Sequence, residues 1–125
     1  MSSRVRVLIV DDHALFADAL KLMLDRDDAF EVVGIASNAE EAVDLALQHD
    51  AQVVLMDVGL PDVDGYEATR RLHAIKRAAR VIAVSGRTED EVSSLASDAG
   101  MLFYLSKDRI HEHVHDAILR AASSA

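Results

Sequence analysis

The sequence has no cysteine, no tryptophan and a single proline in 125 residues. Without cysteine there is no disulfide framework, no thiol nucleophile and no thiolate metal site. Aromatic residues make up 4% of the chain while 50% of it is hydrophobic, so the core has to be built from Val, Leu, Ile and Ala. Positive charge is also scarce: 13 Lys and Arg stand against 22 Asp and Glu, a formal charge of -9. That balance argues against holding a nucleic-acid backbone or an anionic membrane surface through bulk charge. The acids are dispersed and form no tail, so disorder is not indicated. No apolar run is long enough to span a bilayer, and Met1-Ser2-Ser3-Arg4 carries no apolar signal region. The expectation is a cytoplasmic protein with one core, no membrane contact and no direct nucleic-acid binding by this chain.

What the chain does have is a set of short apolar runs that stop on polar residues. Val53-Val54-Leu55-Met56 ends on Asp57, and a turn rich in Gly, Pro and Asp follows from Gly59 to Gly65. An unbroken apolar run bounded by turn residues reads as a strand buried on both faces, which belongs in a parallel sheet. Val5 to Val10 is a second such strand, ending on Asp11-Asp12. Val81 to Val84 is another, ending on Ser85-Gly86, and Leu102 to Leu105 ends on Ser106-Lys107. Phe30 to Ala36, interrupted by Glu31 and Gly34, suits a sheet edge.

Between the strands the spacing turns helical. Leu15, Phe16, Ala19, Leu20, Leu22 and Met23 predict one apolar face, and Ala39, Ala42, Val43, Ala46 and Leu47 a second. Ala68, Leu72 and Ile75 predict a third, and Val92, Leu95, Ala96 and Ala99 a fourth. The fifth consists of Ile110, Val114, Ala117, Ile118 and Ala121. Asn38 with Glu41 and Thr88 with Glu91 are spaced as capping boxes, Gly100 is a helix stop, and Asp108 is placed to cap the last helix. Five strands alternating with five helices predict an α/β, doubly wound parallel sheet.

In such a sheet all carboxyl ends share one side, where ligands bind. Asp11, Asp12, Asp57, Ser85 and Lys107 stand there. Three carboxylates in one crevice are costly unless a cation sits among them, and an oxygen-only donor set points to Mg²⁺. Lys107 adds a mobile positive charge for a phosphoryl oxygen, and Ser85 a hydroxyl. This is equipment for phosphoryl transfer onto a carboxylate, with Asp57 as nucleophile and no general base required.

The pieces Val10-Asp11-Asp12-His13, Leu55-Met56-Asp57 with Pro61 and Asp64-Gly65, Ser85 after an apolar strand, and Ala99-Gly100 ahead of Tyr104-Leu105-Ser106-Lys107 occur in order. Over its whole length the chain resembles the receiver domains of bacterial two-component response regulators. Asp12-His13-Ala14-Leu15-Phe16, Gly59-Leu60-Pro61 and Tyr66 to Leu72 are most similar to the branch carrying a C-terminal helix-turn-helix output domain. No residues here correspond to that output domain. The resemblance implies the flavodoxin-like strand order 2-1-3-4-5 and a receiver over residues 1–121, with 122–125 as the start of a linker or a frayed end.

It also implies Asp57 as acceptor of a phosphoryl group from a sensor histidine kinase, in a signalling domain and not an enzyme proper. Mg²⁺ would be ligated by Asp12, Asp57 and the carbonyl of Gly59, with Asp11 acting through water. Lys107 would pair with the phosphoryl group. Ser85 and Tyr104 would be the switch residues, remodelling the face of the fourth helix, fifth strand and fifth helix. That face, or the one made by the first and fifth helices, would meet a second copy or an output domain, with transcription as the regulated process.

Three departures accompany the resemblance. Phe103 replaces a common Gly and could restrict Tyr104 or alter the output face, Gly86 could loosen its loop, and no Pro follows Lys107. Rival functions fit less well. A flavodoxin-type module needs a phosphate-cradling loop where Asp11-Asp12 stand, and a haloacid dehalogenase-like phosphatase places its nucleophile after the first strand. A receiver acting as a phosphorylation-independent interaction module is the remaining alternative. Arg70, Arg71, Lys76 and Arg77 read as a solvated helix face, and His111 with His115 as exposed helix surface without a third metal ligand. His13 beside the acids is placed to affect access or pH response.

Overall fold

The structure, a computed structural model, describes residues 4–86 and 95–124. Strands β1 (Val5–Val10), β2 (Phe30–Ala36), β3 (Val53–Asp57), β4 (Arg80–Ser85) and β5 (Phe103–Ser106) form one parallel sheet in the order β2-β1-β3-β4-β5. The helices are α1 (Ala14–Asp25), α2 (Ala39–Gln48), α3 (Gly65–Ile75), α4 (residues 95–99) and α5 (Ile110–Ala122). A 3-10 turn, Lys107–Arg109, joins β5 to α5.

Alternation along each strand divides the core into two layers. Leu8, Val10, Val54, Met56, Val81 and Ala83 pack with α2, α3 and α4. Val7, Ile9, Val53, Leu55, Ile82 and Val84 pack with α1 and α5. With helices on both sides, the central strands have no wet face, which explains their unbroken apolar runs. β2 is the edge strand expected from Glu31 and Gly34, and its register slips by one residue opposite Val7/Leu8, leaving Val33 as the extra residue.

The helix faces are less faithful to the expected spacing. In α1 the buried residues are Ala17, Leu20 and Leu24, whereas Leu15 is 88% exposed and Ala19 and Leu22 also face solvent. Ile75 at the end of α3, Leu47 in α2 and Leu95 in α4 are exposed in the same way. Tyr66 and Thr69, outside the expected apolar face, are buried in α3. Asn38 does accept from the Glu41 amide, but the Glu41 carboxylate turns to the Ser37 amide and hydroxyl instead of closing the box on Asn38. Asp108 does not cap α5. It lies within the 3-10 turn, where its own amide donates to Ser106 Oγ. The Thr88–Glu91 box lies outside the described residues. Gly100 stops α4 as expected, at φ +95°.

One glycine governs the rim of the sheet. Gly65 opens α3 and donates its amide to the Val58 carbonyl at 2.9 Å. A Cβ there would lie 2.3 Å from the Asp57 carbonyl oxygen and 2.7 Å from Val58 Cα. Both are backbone atoms, so no side-chain rotation relieves the clash. Gly65→Ala should therefore destabilise the fold by about 1–3 kcal/mol in denaturant melts. Gly86→Ala, where nothing lies within 4 Å of the added carbon, should change stability little. Equal melts for both variants would remove Gly65 from this role.

Candidate functional site

Because β1, β3, β4 and β5 run parallel, their carboxyl ends bring distant residues to one rim. Asp11 follows β1, its amide tied to the Ala36 carbonyl of β2. Asp57 ends β3, Ser85 ends β4 and Lys107 follows β5. One ligand-type atom from each of Asp11, Asp12, His13 and Asp57 lies within 4.8 Å of the others. His13, Asp57, Val58, Gly59, Ser85, Gly86 and Lys107 line a shallow cavity of about 220 Å³.

The two central carboxylates are buried, Asp11 to 3% exposure and Asp57 to 4%. Each has one satisfied oxygen. Asp11 Oδ1 accepts from the His13 amide at 2.8 Å, with His13 Nδ1 at 3.2 Å. Asp57 Oδ1 accepts from the Gly59 amide at 3.0 Å. Among the described residues, neither Asp11 Oδ2 nor Asp57 Oδ2 receives an aligned hydrogen bond. The cation beside them is Lys107, whose Nζ stands 2.8 Å from Asp11 Oδ2 and 3.6 Å from Asp57 Oδ2. Buried carboxylate oxygens left unsatisfied are expensive. These two are suited to a cation or to a ligand rich in positive or donor groups.

Asp57 carries the electrostatic signature of this arrangement. Burial pushes its carboxyl above the ordinary range and the Asp11 charge pushes the same way, while the Gly59 amide and Lys107 oppose the shift. Asp12 is more exposed and lies 3.8 Å from His13 Nδ1 through Oδ1, so the donor set combines two buried carboxylates with one open to solvent. Hard divalent cations with retained waters favour such oxygen sets. The residues therefore fit Mg²⁺.

The loop after β3 is held from two sides. Asp62 accepts the Ala39 amide at the start of α2 with both oxygens, at 3.0 and 3.1 Å. Asp64 caps α3 through the Glu67 amide, and Thr69 Oγ1 donates to the Gly65 carbonyl. These residues escaped the sequence reading because acids in a turn carry no mark of which helix they will cap. Phe16, expected on the apolar face of the first helix, has its ring 4.8 Å from Lys107 Nζ. His13 is closer to the acids than its sequence neighbourhood alone required.

Tyr104 does not reach the cavity. It is half-buried, packs with the α2–α3 layer, and lines a separate groove with Phe103, Leu105, His113, Ala117 and Arg120. Phe103 belongs to the opposite layer, against α5. Successive strand residues point to opposite faces, so Phe103 does not crowd the Tyr104 ring. His115 is engaged by Asp27 and by the edge of Phe30, whose ring centroid is 5.3 Å away. Among the described residues it joins no metal-type cluster with His111. Lys76 is not part of a solvated face, since it pairs with Asp50 at the far rim.

A carboxyl whose folded pKa is raised favours the fold at low pH and loses that contribution as pH rises from about 4 through the raised value. At pH 7 in chelator, Asp57→Asn should thus melt higher than the wild type, by an amount on the order of 1 kcal/mol. The advantage should shrink as pH falls toward 4. A variant melting lower at pH 7 would contradict the electrostatic assignment.

Comparison with known proteins agrees with this architecture. Residues 7–119 match the family described as response regulator receiver domain. The chain is 33% identical over 118 residues to the transcriptional regulatory protein YdfI of Bacillus subtilis, covering 92% of this chain and 55% of that protein. It is 34% identical over 114 residues to the response regulator UvrY of Escherichia coli K12, covering 91% and 52%. The chain thus spans about half the length of the curated relatives it matches. A LuxR-family two-component response regulator from Aurantimonas superposes with a TM-score of 0.90 at 28% identity, over 97% of this chain and 86% of that one. Fold, rim chemistry and a match running from β1 into α5 agree that this chain belongs to the receiver-domain family of two-component response regulators.

Proposed function

We propose that the chain accepts a phosphoryl group on Asp57 from a sensor histidine kinase. The observation that carries this reading is Asp57 Oδ2: a buried carboxylate oxygen with no hydrogen bond from the described residues, beside a lysine, at the mouth of the sheet. Asp57 attacks phosphorus, forming an O–P bond as the donor's N–P bond breaks and its electron pair returns to the imidazole. The acceptor is an ionised carboxylate, so no base has to remove a proton.

Asp12, Asp57 and the Gly59 carbonyl would hold Mg²⁺ directly, with Asp11 acting through water. The bound ion supplies charge neutralisation for the phosphoryl oxygens. Lys107 needs only a short swing from Asp11 to meet a phosphoryl oxygen above Asp57. Ser85 closes the cavity from the end of β4 and offers its hydroxyl to a second oxygen. Phosphorylation then shifts a conformational population through the contacts Lys107 and Ser85 make with the phosphoryl oxygens. Tyr104, on the next strand from Ser85, is the residue through which the α4-β5-α5 surface responds. That surface, or the α1-α5 surface, meets a second copy or an output domain. Residues 1–121 are the receiver, and 122–125 are the start of a linker or a frayed end. YdfI is a transcriptional regulatory protein and the Aurantimonas neighbour is of the LuxR family, which supports control of transcription as the downstream role.

The test is intact-mass analysis after incubation with acetyl phosphate. We expect one added phosphate in wild type with Mg²⁺, none with chelator and none in Asp57→Ala. Label retained in Asp57→Ala would move the acceptor elsewhere, and no label in any sample would favour a phosphorylation-independent interaction module. Mg²⁺ at a few-fold its Kd should stabilise the wild type by about 1 kcal/mol in thermal melts. Lys107→Ala should keep Mg²⁺ binding while labelling slowly. Unchanged labelling and an unchanged structural response would exclude Lys107 from the mechanism.

A further inference from the structure

We infer that Phe16 is a positioning residue for Lys107, its aromatic face holding the ammonium over the acceptor site. The inference deepens the phospho-acceptor reading and rests on it. Lys107 carries its charge on a flexible four-carbon stem with rotamer entropy to lose, so something must hold the ammonium at the cavity. Among the described residues its Nζ has four charged, polar or aromatic neighbours: Asp11 Oδ2 at 2.8 Å, His13 Nδ1 at 3.2 Å, Asp57 Oδ2 at 3.6 Å and the Phe16 ring at 4.8 Å. The lysine side chain is only 17% exposed, and a partly desolvated ammonium over a ring gains more than an exposed one.

Three of the four neighbours belong to the rim that a cation and a phosphoryl group would occupy. Asp11 and Asp57 are carboxylates that such a cation would neutralise, and His13 lies between them and Asp12. When their charge is taken up, they release the lysine. The ring of Phe16 is neutral and ligates nothing, so its attraction for the ammonium persists through every charge state of the rim. Phe16 is suited to that part because it is fixed. It sits in the first turn of α1, half-buried against the layer formed by α1, α5 and the sheet. The ring is thus attached to the framework and not to the loops around Asp57.

Phe16→Leu keeps an apolar side chain and removes the π face, while Phe16→Tyr keeps the face. With acetyl phosphate and Mg²⁺, Phe16→Leu should label roughly three- to tenfold more slowly than wild type, and Phe16→Tyr at nearly the wild-type rate. Mg²⁺ affinity should be the same in all three. In a Lys107→Ala background the Phe16→Leu change should have no further effect on the residual rate, because the group it positions is gone. An independent readout is the NMR shift of the Lys107 ε-protons, which a ring face moves upfield; the displacement should vanish in Phe16→Leu and remain in Phe16→Tyr. Equal labelling by Phe16→Leu and wild type, equal loss in Leu and Tyr variants, or a Leu penalty that persists without Lys107 would each overturn the inference. So would a Lys107 shift indifferent to Phe16. Failure of the wild type itself to be labelled would instead sink the acceptor reading, and the inference with it.

Discussion

Two buried carboxylates held side by side set the terms for this fold. Asp11 and Asp57 leave β1 and β3 at the same rim because adjacent parallel strands end together, and both are almost wholly withdrawn from water. Like charges at such range in a partly desolvated crevice oppose folding. The chain supplies two backbone amides and one lysine against them, which leaves two oxygens without a hydrogen bond. The cost is tolerable because the sheet beneath is so apolar. Each fully buried Val, Leu or Ile contributes about 1.5–3 kcal/mol, and β1, β3 and β4 carry ten such positions between their two layers.

The opposite rim shows what a purely structural charge cluster looks like in the same molecule. There Asp50 meets both Arg6 and Lys76, and the Arg80 guanidinium donates to the Ser124 carbonyl. Donors meet acceptors, and the Asp50 carboxyl is held below its ordinary range, chiefly by Lys76. At the upper rim the balance is reversed, with more anionic oxygen than donor and a carboxyl raised in place of lowered. The contrast separates a site prepared for an incoming group from an ion pair that finishes a surface. The loop carrying Asp57 is rigid for the same purpose: Asp62 pins it to α2, and Gly65 lets α3 begin against its backbone.

Legibility in the sequence followed the strength of the physical signal. Runs such as Val53 to Met56 have one explanation in a chain of this size, so strands, sheet type and the rim residues Asp11, Asp12, Asp57, Ser85 and Lys107 could be read directly. Helical faces could not be read as cleanly. Leu15, Leu22 and Ile75 satisfy helical spacing yet face solvent, because a hydrophobic residue near the boundary of a stripe costs little when exposed. Capping was similarly ambiguous. Asp108 and Ser106 are both competent caps, and only the 3-10 turn decides that Ser106 does the accepting. The opposed faces of Phe103 and Tyr104 required the strand's exact pleat, since a one-residue shift in β5 would exchange them.

The sequence by itself determined the class of fold and the identity of the charged rim, because both follow from periodicity and from what stands at the end of each apolar run. Tertiary structure alone decided how those charges are distributed: that Lys107 sits nearer to Asp11 than to Asp57, that one oxygen of each carboxylate faces the ammonium while the other meets a backbone amide, and that Phe16 lies beneath the ammonium. Those relations join Lys107 to residues 50 to 96 positions away along the chain. Local pattern carries no information about such distances. The packing of helices against a twisted sheet sets them, and with them the reactivity of Asp57.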